Sequence, residues 1–160
     1  KSFVSKNKLK HIELFAGCGG MSLGLEAAGY DLFFANELSP MAGETFAYNL
    51  LNETLEGNQS PNKTLWIKSQ FHKHEIEKRL RENPFEAPQG KYSDIDEDTI
   101  LDKKLLIGDI NELLTFFEER PALVNAIRNN EIDLTLHSGI DSVKVLFSFE
   151  DVLIGWNEEK

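Results

Sequence analysis

The segment Phe15-Ala16-Gly17-Cys18-Gly19-Gly20 follows a short apolar run and precedes a stretch with helical character. A tight turn from strand to helix uses positive φ, and a backbone that touches a ligand leaves no room for a Cβ. The helix that follows offers free N–H groups and a partial positive charge, which suit a carboxylate or a phosphate. Glu37 lies 20 residues after Gly17, at the end of the next apolar run, where an acid can accept hydrogen bonds from ribose hydroxyls. Asp109 follows a third apolar run, and its carboxylate can accept from an adenine amino group. Each feature also has a plainer reading. The glycines could merely join strand to helix, Glu37 could be an ordinary acid near the helix start at Ser39, and Asp109 could cap a helix beginning near Asn111. The dinucleotide fingerprint asks for a third glycine two residues past Gly20, and Ser22 stands there instead, which argues against NAD.

These residues depend on the elements that carry them. Lys10 to Ala16 reads as a buried strand, Met21 to Ala28 as a helix stopped by Gly29, and Asp31 to Asn36 as a second buried strand. Ser39-Pro40 is a strong helix start, and the helix should run to about Asn52 with Phe46, Leu50 and Ala47 inward. Residues 52–102 are rich in Asn, Glu, Ser, Pro and acids, and read as an insertion with a helix near its middle rather than a second domain. The core pattern resumes with a strand at Lys104 to Ile107, helices at Asn111 to Arg120 and Pro121 to Asn130, and strands at Ile132 to His137 and Val143 to Phe149. Five core strands, all parallel, alternate with helices, so the expected class is α/β with a parallel-rich sheet. Ligands of such sheets sit at the carboxyl ends of strands, where Gly17, Glu37 and Asp109 fall.

Composition narrows the function. The 160 residues contain 17 Lys and Arg against 27 Asp and Glu, a net charge of −10. That is a poor match for gripping DNA unaided, since phosphate contacts supply much of such affinity. A basic surface for nucleic acid must then come from a local patch or from polypeptide outside these residues. Cys18 is the sole cysteine, so no intrachain disulfide and no cysteine metal cluster can form, in keeping with a cytoplasmic setting. No apolar run is long enough for a membrane helix. His72 and His74 alternate without a further ligand nearby, and Asp94 to Asp98 lacks the glycine and spacing of a calcium loop, so no metal is expected. The basic stretch from Lys63 to Arg81 could touch DNA phosphates or form a solvated helix face.

Residues 12–38, IELFAGCGGMSLGLEAAGYDLFFANEL, resemble the opening of the DNA cytosine-5 methyltransferases. Gly108-Asp109-Ile110 resembles that family's third cofactor motif, and Ile132-Asp133-Leu134 the strand leading to its catalytic loop. The resemblance covers roughly residues 10–50 and 104–139 and leaves the insertion unmatched. It implies a Rossmann-like S-adenosylmethionine-dependent methyltransferase fold, incomplete in residues 1–160. It further implies that Phe15 packs against the cofactor and that Ala16, Gly17, Cys18, Gly19 and Gly20 hold its methionine end. Glu37 would bind the ribose hydroxyls, Leu38 beside it would belong to the cofactor-binding set, and Asp109 and Ile110 would contact the adenine. DNA would be the substrate, in a setting such as restriction-modification.

The resemblance breaks at the nucleophile. The family's reaction uses a cysteine thiolate to attack carbon 6 of a flipped cytosine, from a Pro-Cys dipeptide after the strand at Ile132 to His137. Here the chain reads Ser138-Gly139-Ile140-Asp141-Ser142. Cys18 sits at the variable position of the glycine turn and reads as a packing residue. Phe149-Glu150-Asp151-Val152 resembles the family's Glu-Asn-Val motif, which makes Glu150 the candidate catalytic acid. The family's catalytic loop and target-recognition region are not found in residues 1–160. Two expectations follow. The chain is the cofactor-binding part of a methyltransferase that is enzymatic when complete, or it is a non-catalytic partner or regulatory subunit of that fold. The DNA target, the oligomeric state and any restriction partner have no signal in the sequence.

Overall fold

The computed structural model describes residues 8–57, 61–86, 90–129 and 132–137. In chain order the elements are β1 (Leu9–Leu14), α1 (Gly20–Ala27), β2 (Tyr30–Glu37), α2 (Pro40–Leu51), β3 (Thr64–Trp66), α3 (Ile76–Leu80), β4 (Lys104–Ile107), α4 (Ile110–Glu118), α5 (Pro121–Arg128) and β5 (Leu134–His137). The strands form one five-stranded sheet in the order β3-β4-β2-β1-β5. All four pairings are parallel.

The inner strands are buried on both faces, which is why they read as near-continuous apolar runs. In β2, Leu32, Phe33, Phe34 and Ala35 are all buried. Two apolar layers result. One holds Ile12, Leu14, Phe34 and Leu106 with Leu113 and Phe117 of α4 and Ile127 of α5. The other holds Leu32, Ala35, Leu105 and Ile107 with Phe46 and Ala47 of α2. Burying each leucine, isoleucine or phenylalanine of these layers contributes about 1.5–3 kcal/mol.

The helix boundaries follow from their capping residues. Ser39 caps α2 by accepting from the Ala42 N–H at 3.4 Å, with Pro40 at the first helical position. The helix ends where Asn52 adopts a left-handed conformation at φ 52°. Asp109 caps α4 by accepting from the Asn111 N–H at 2.7 Å. On α2, Phe46 and Ala47 face inward as expected, while Leu50 is half-buried against the same layer.

One expectation needs correcting. Residues 52–102 do not lie wholly outside the core sheet, because Thr64–Trp66 pairs with β4 and forms the sheet edge. Its three residues are too few to show a period, and its partner strand lies far along the chain. The strand expected at Val143 to Phe149, like Glu150, lies outside the described residues.

The strand order creates a switch point. From β1 the chain adds β2 beside it, passes to the sheet edge for β3, returns to place β4 between β3 and β2, then crosses to the opposite side of β1 for β5. Ligands of open parallel sheets bind outside the carboxyl ends of the strands at such a point. The arrangement is a Rossmann-like α/β fold with flanking helices. Among the described residues, no helix is long and apolar enough to cross a membrane.

Candidate functional site

The carboxyl ends of β1, β2 and β4 are adjacent, since β2 lies between the other two. The turn after β1 leaves the strand through Phe15 at φ 57°, an outlier for a bulky side chain. Phe15 is half-buried and packs against the apolar layer beneath α4. Gly19 caps α1 in a left-handed conformation at φ 89°. A Cβ there would lie 2.8 Å from Leu50 Cδ2 and 2.9 Å from Phe46 Cδ2. Helix α2 therefore presses directly on the turn, and only glycine fits the contact. Asn49 of α2 adds a hydrogen bond from its Nδ2 to the Cys18 carbonyl at 3.4 Å. Cys18 and Gly20 are exposed at the mouth of the turn.

Glu37 joins the first two strand ends. Its Oε2 accepts from the Gly17 N–H at 2.6 Å and its Oε1 from the Ser39 N–H at 2.9 Å. A carboxylate has about four acceptor positions, so capacity remains for a ligand's hydroxyls. The third strand end is tied in by Asn36, whose Nδ2 donates to the Leu106 and Gly108 carbonyls at 2.9 and 3.1 Å. The Gly108 N–H donates to the Glu37 carbonyl at 2.9 Å.

A cleft opens beside this junction. Leu38, Pro40, Ile107, Gly108 and Asp109 form one side of it. Asp109 is half-buried and serves as the α4 cap, so the plainer reading of that residue holds alongside its place in the cleft. Ile110 points elsewhere, into the apolar layer with Leu113 and Phe117. Trp66, Ile67, Lys68, Glu82 and Pro84 form the other side. Those five come from the stretch read as an insertion, and no local pattern marks them as site residues.

A buried polar chain under the turn also escaped the sequence. His11, Glu13 and Ser22 are all buried. The Ser22 hydroxyl donates to Glu13 Oε2, and His11 Nε2 lies 3.1 Å from the same hydroxyl. With the hydroxyl proton directed at Glu13, Nε2–H donates to Ser22, and the other ring nitrogen of His11 is buried as well. Burial raises the Glu13 carboxyl above its ordinary range, offset in part by the Ser22 bonds. Burial lowers the His11 imidazole, offset in part by Asp31. Ser22, which displaces the third glycine of the dinucleotide fingerprint, thus ties α1 to β1.

The other candidates take structural roles. Arg79 is buried and pairs with both Asp94 oxygens at 2.7 and 3.1 Å. Lys78 pairs with Glu75, and the Lys63 ammonium donates to the Leu51 carbonyl. Much of the basic stretch therefore meets partners within the chain. His72 and His74 stack at 5.4 Å. Among the described residues, no group of three His, Cys, Asp or Glu could hold a metal ion.

Comparison with known proteins places these residues in a family context. The family model described as C-5 cytosine-specific DNA methylase matches residues 9–78. Type II methyltransferase M.NgoFVII of Neisseria gonorrhoeae is 43% identical over 54 residues, which is 34% of this chain and 14% of that protein. Type II methyltransferase M.NgoPII of the same organism is 46% identical over 43 residues, 27% of this chain and 13% of that protein. The aligned part of this chain thus spans about one seventh of the length of either relative. No solved structure matches significantly. The resemblance of this chain to the C-5 cytosine-specific DNA methylases is therefore shown over residues 9–78, the stretch that carries the glycine turn, Ser22 and Glu37.

Proposed function

We propose that this chain supplies the S-adenosylmethionine-binding part of a DNA cytosine-5 methyltransferase. The observation that carries the reading is the junction of three strand ends. Glu37 bonds to the turn after β1 through the Gly17 N–H, and the Gly108 N–H bonds to the Glu37 carbonyl. The residues present suit the cofactor's parts. The N-terminus of α1 has no side-chain cap, so its N–H groups can receive the methionine carboxylate. Glu37 accepts from the ribose hydroxyls. Leu38 offers an apolar face to the adenine, Asp109 accepts from its amino group, and Ile110 supports Asp109 from the core. Phe15 closes the turn beneath the cofactor, with Ala16 buried behind it.

S-adenosylmethionine supplies the methyl group that carbon 5 of cytosine receives. The chain's own described residues bind and orient; the nucleophile is a separate matter. After β5 the sequence continues Ser138-Gly139 without Pro-Cys, and Glu150 lies outside the described residues. That departure favours a second reading, a non-catalytic partner or regulatory subunit that keeps the cofactor site. In the first reading the complete protein acts on DNA in the cytoplasm.

Calorimetric titration of the chain with S-adenosylhomocysteine and with NAD tests the cofactor assignment. Saturable binding of S-adenosylhomocysteine without binding of NAD is the expected result. Preference for NAD, or no binding of S-adenosylhomocysteine, refutes it. Methyl transfer to duplex DNA by the complete protein separates the enzyme from the non-catalytic subunit.

A further inference from the structure

We infer that residues 64–86 form the outer wall of the adenine cleft, and that the Lys68–Glu112 ion pair latches this wall against α4. The inference rests on the cofactor reading above and concerns the residues that hold the ligand in place.

Strand β3 brings the wall to the cleft. Trp66 stands opposite Ile107 in the register, and the Ile67 N–H donates to the Ile107 carbonyl at 2.7 Å. The wall touches the Gly108 turn closely, since a Cβ on Gly108 would lie 2.9 Å from Ile67 Cβ. Its backing is rigid. The Arg79 guanidinium lies 4.9 Å from the Trp66 ring centroid and holds Asp94, whose Oδ2 accepts from the Trp66 N–H at 3.0 Å. Glu82 accepts from the Ser69 hydroxyl and the Gln70 N–H, both at 2.7 Å. A wall anchored this way is shaped before a ligand arrives, which lowers the ordering cost of binding. The Trp66 indole N–H is buried without a partner, on a residue that lines the cleft.

The latch crosses from this wall to the helix capped by Asp109. Lys68 Nζ lies 2.6 Å from Glu112 Oε2, with side chains 47% and 23% exposed. Both residues line the cleft. A pair this exposed is weak and screened by salt, so it can open and close. It therefore governs how quickly an adenosyl ligand leaves rather than whether the cleft exists.

The test measures dissociation of S-adenosylhomocysteine and of adenosine from the 160-residue chain by stopped flow. Lys68→Ala and Glu112→Ala should each speed dissociation of both ligands about threefold, with thermal unfolding unchanged. The charge-swapped K68E/E112K chain should return towards the parent rate. Raising salt to about 1 M should speed release from the parent but not from the single variants. Unchanged dissociation in the single variants overturns the latch while leaving the cofactor reading intact. No binding of S-adenosylhomocysteine by the parent chain overturns the cofactor reading and the latch together.

Discussion

At the scale of single residues, Glu13 and Glu37 are acids from the ends of neighbouring strands with opposite circumstances. Glu13 is buried, and desolvation raises its carboxyl above the ordinary value of 4.5. At pH below that ordinary value both the folded and unfolded chains hold the proton, and the group costs nothing. As pH rises past it, the unfolded chain ionises first, so stability falls until the folded carboxyl ionises as well. Glu13→Gln keeps an acceptor for the Ser22 hydroxyl and removes that loss. The Gln variant should melt a few degrees above the parent at about pH 7.5, with the difference closing towards about pH 4. Thermal melts across that range check this, and a gap that does not depend on pH would refute it. His11 acts in the opposite direction, because its lowered imidazole contributes stability that is lost as pH falls below 6.5. It is common to both chains and cancels in the comparison. Glu37 is half-buried with free acceptor capacity, and hydrogen bonds to a charged group contribute about 1.5–3 kcal/mol. Glu37→Ala should therefore weaken S-adenosylhomocysteine binding at least about tenfold by calorimetry. Unchanged affinity would remove Glu37 from the site. Of these residues, Glu37 was legible as a strand-end acid 20 residues after Gly17, and the fold joins the two through the Gly17 N–H. Glu13 was not, because a carboxylate inside an apolar strand declares neither its depth nor its partner.

At the scale of elements, legibility followed the range of the forces involved. Ser39-Pro40 announces α2 because capping and the fixed proline φ act locally. The bounds Lys104 to Ile107 stand in the sequence as they do in the sheet, since a short apolar run between polar flanks needs no distant partner to be recognised. β3 is not legible in the sequence, because Thr64–Trp66 becomes a strand only by pairing with β4. What fixes it is a side-chain lattice that no sequence period encodes, centred on Arg79 and Asp94, whose side chains are 1% and 5% exposed. Removing one member of such a pair leaves an uncompensated buried charge and costs about 3–5 kcal/mol. Arg79→Met should destabilise the chain by that amount in denaturant unfolding. R79M/D94N should recover part of the loss, because the amide introduced at position 94 has no charge and still offers a carbonyl to the Trp66 N–H. A double variant no more stable than Arg79→Met would mean that the charge is not what the pair controls.

At the scale of the whole molecule, the strand-end side of the cleft was legible and the facing side was not. Turn glycines and strand-end acids are local chemistry, whereas Lys68 and Glu112 meet only after the chain has folded across itself. The same scale decides what the polypeptide can do to DNA. Its net charge is −10, and several of its basic groups already hold partners in Asp94, Glu75 and Glu112. Retention of duplex DNA by counterion release needs a set of free cations on one face. Attack on carbon 6 of a cytosine further needs a thiolate beside the flipped base. Cys18, the sole cysteine, is exposed within the glycine turn, on the side assigned to the methyl donor. The 160-residue chain should therefore bind S-adenosylhomocysteine yet neither retain duplex DNA on a filter at physiological salt nor transfer a labelled methyl group into it. Appearance of 5-methylcytosine with this polypeptide alone would show that a nucleophile other than a Pro-Cys thiolate operates here. If label appears and Cys18→Ser abolishes it, the turn itself would have to be reassigned from cofactor to base.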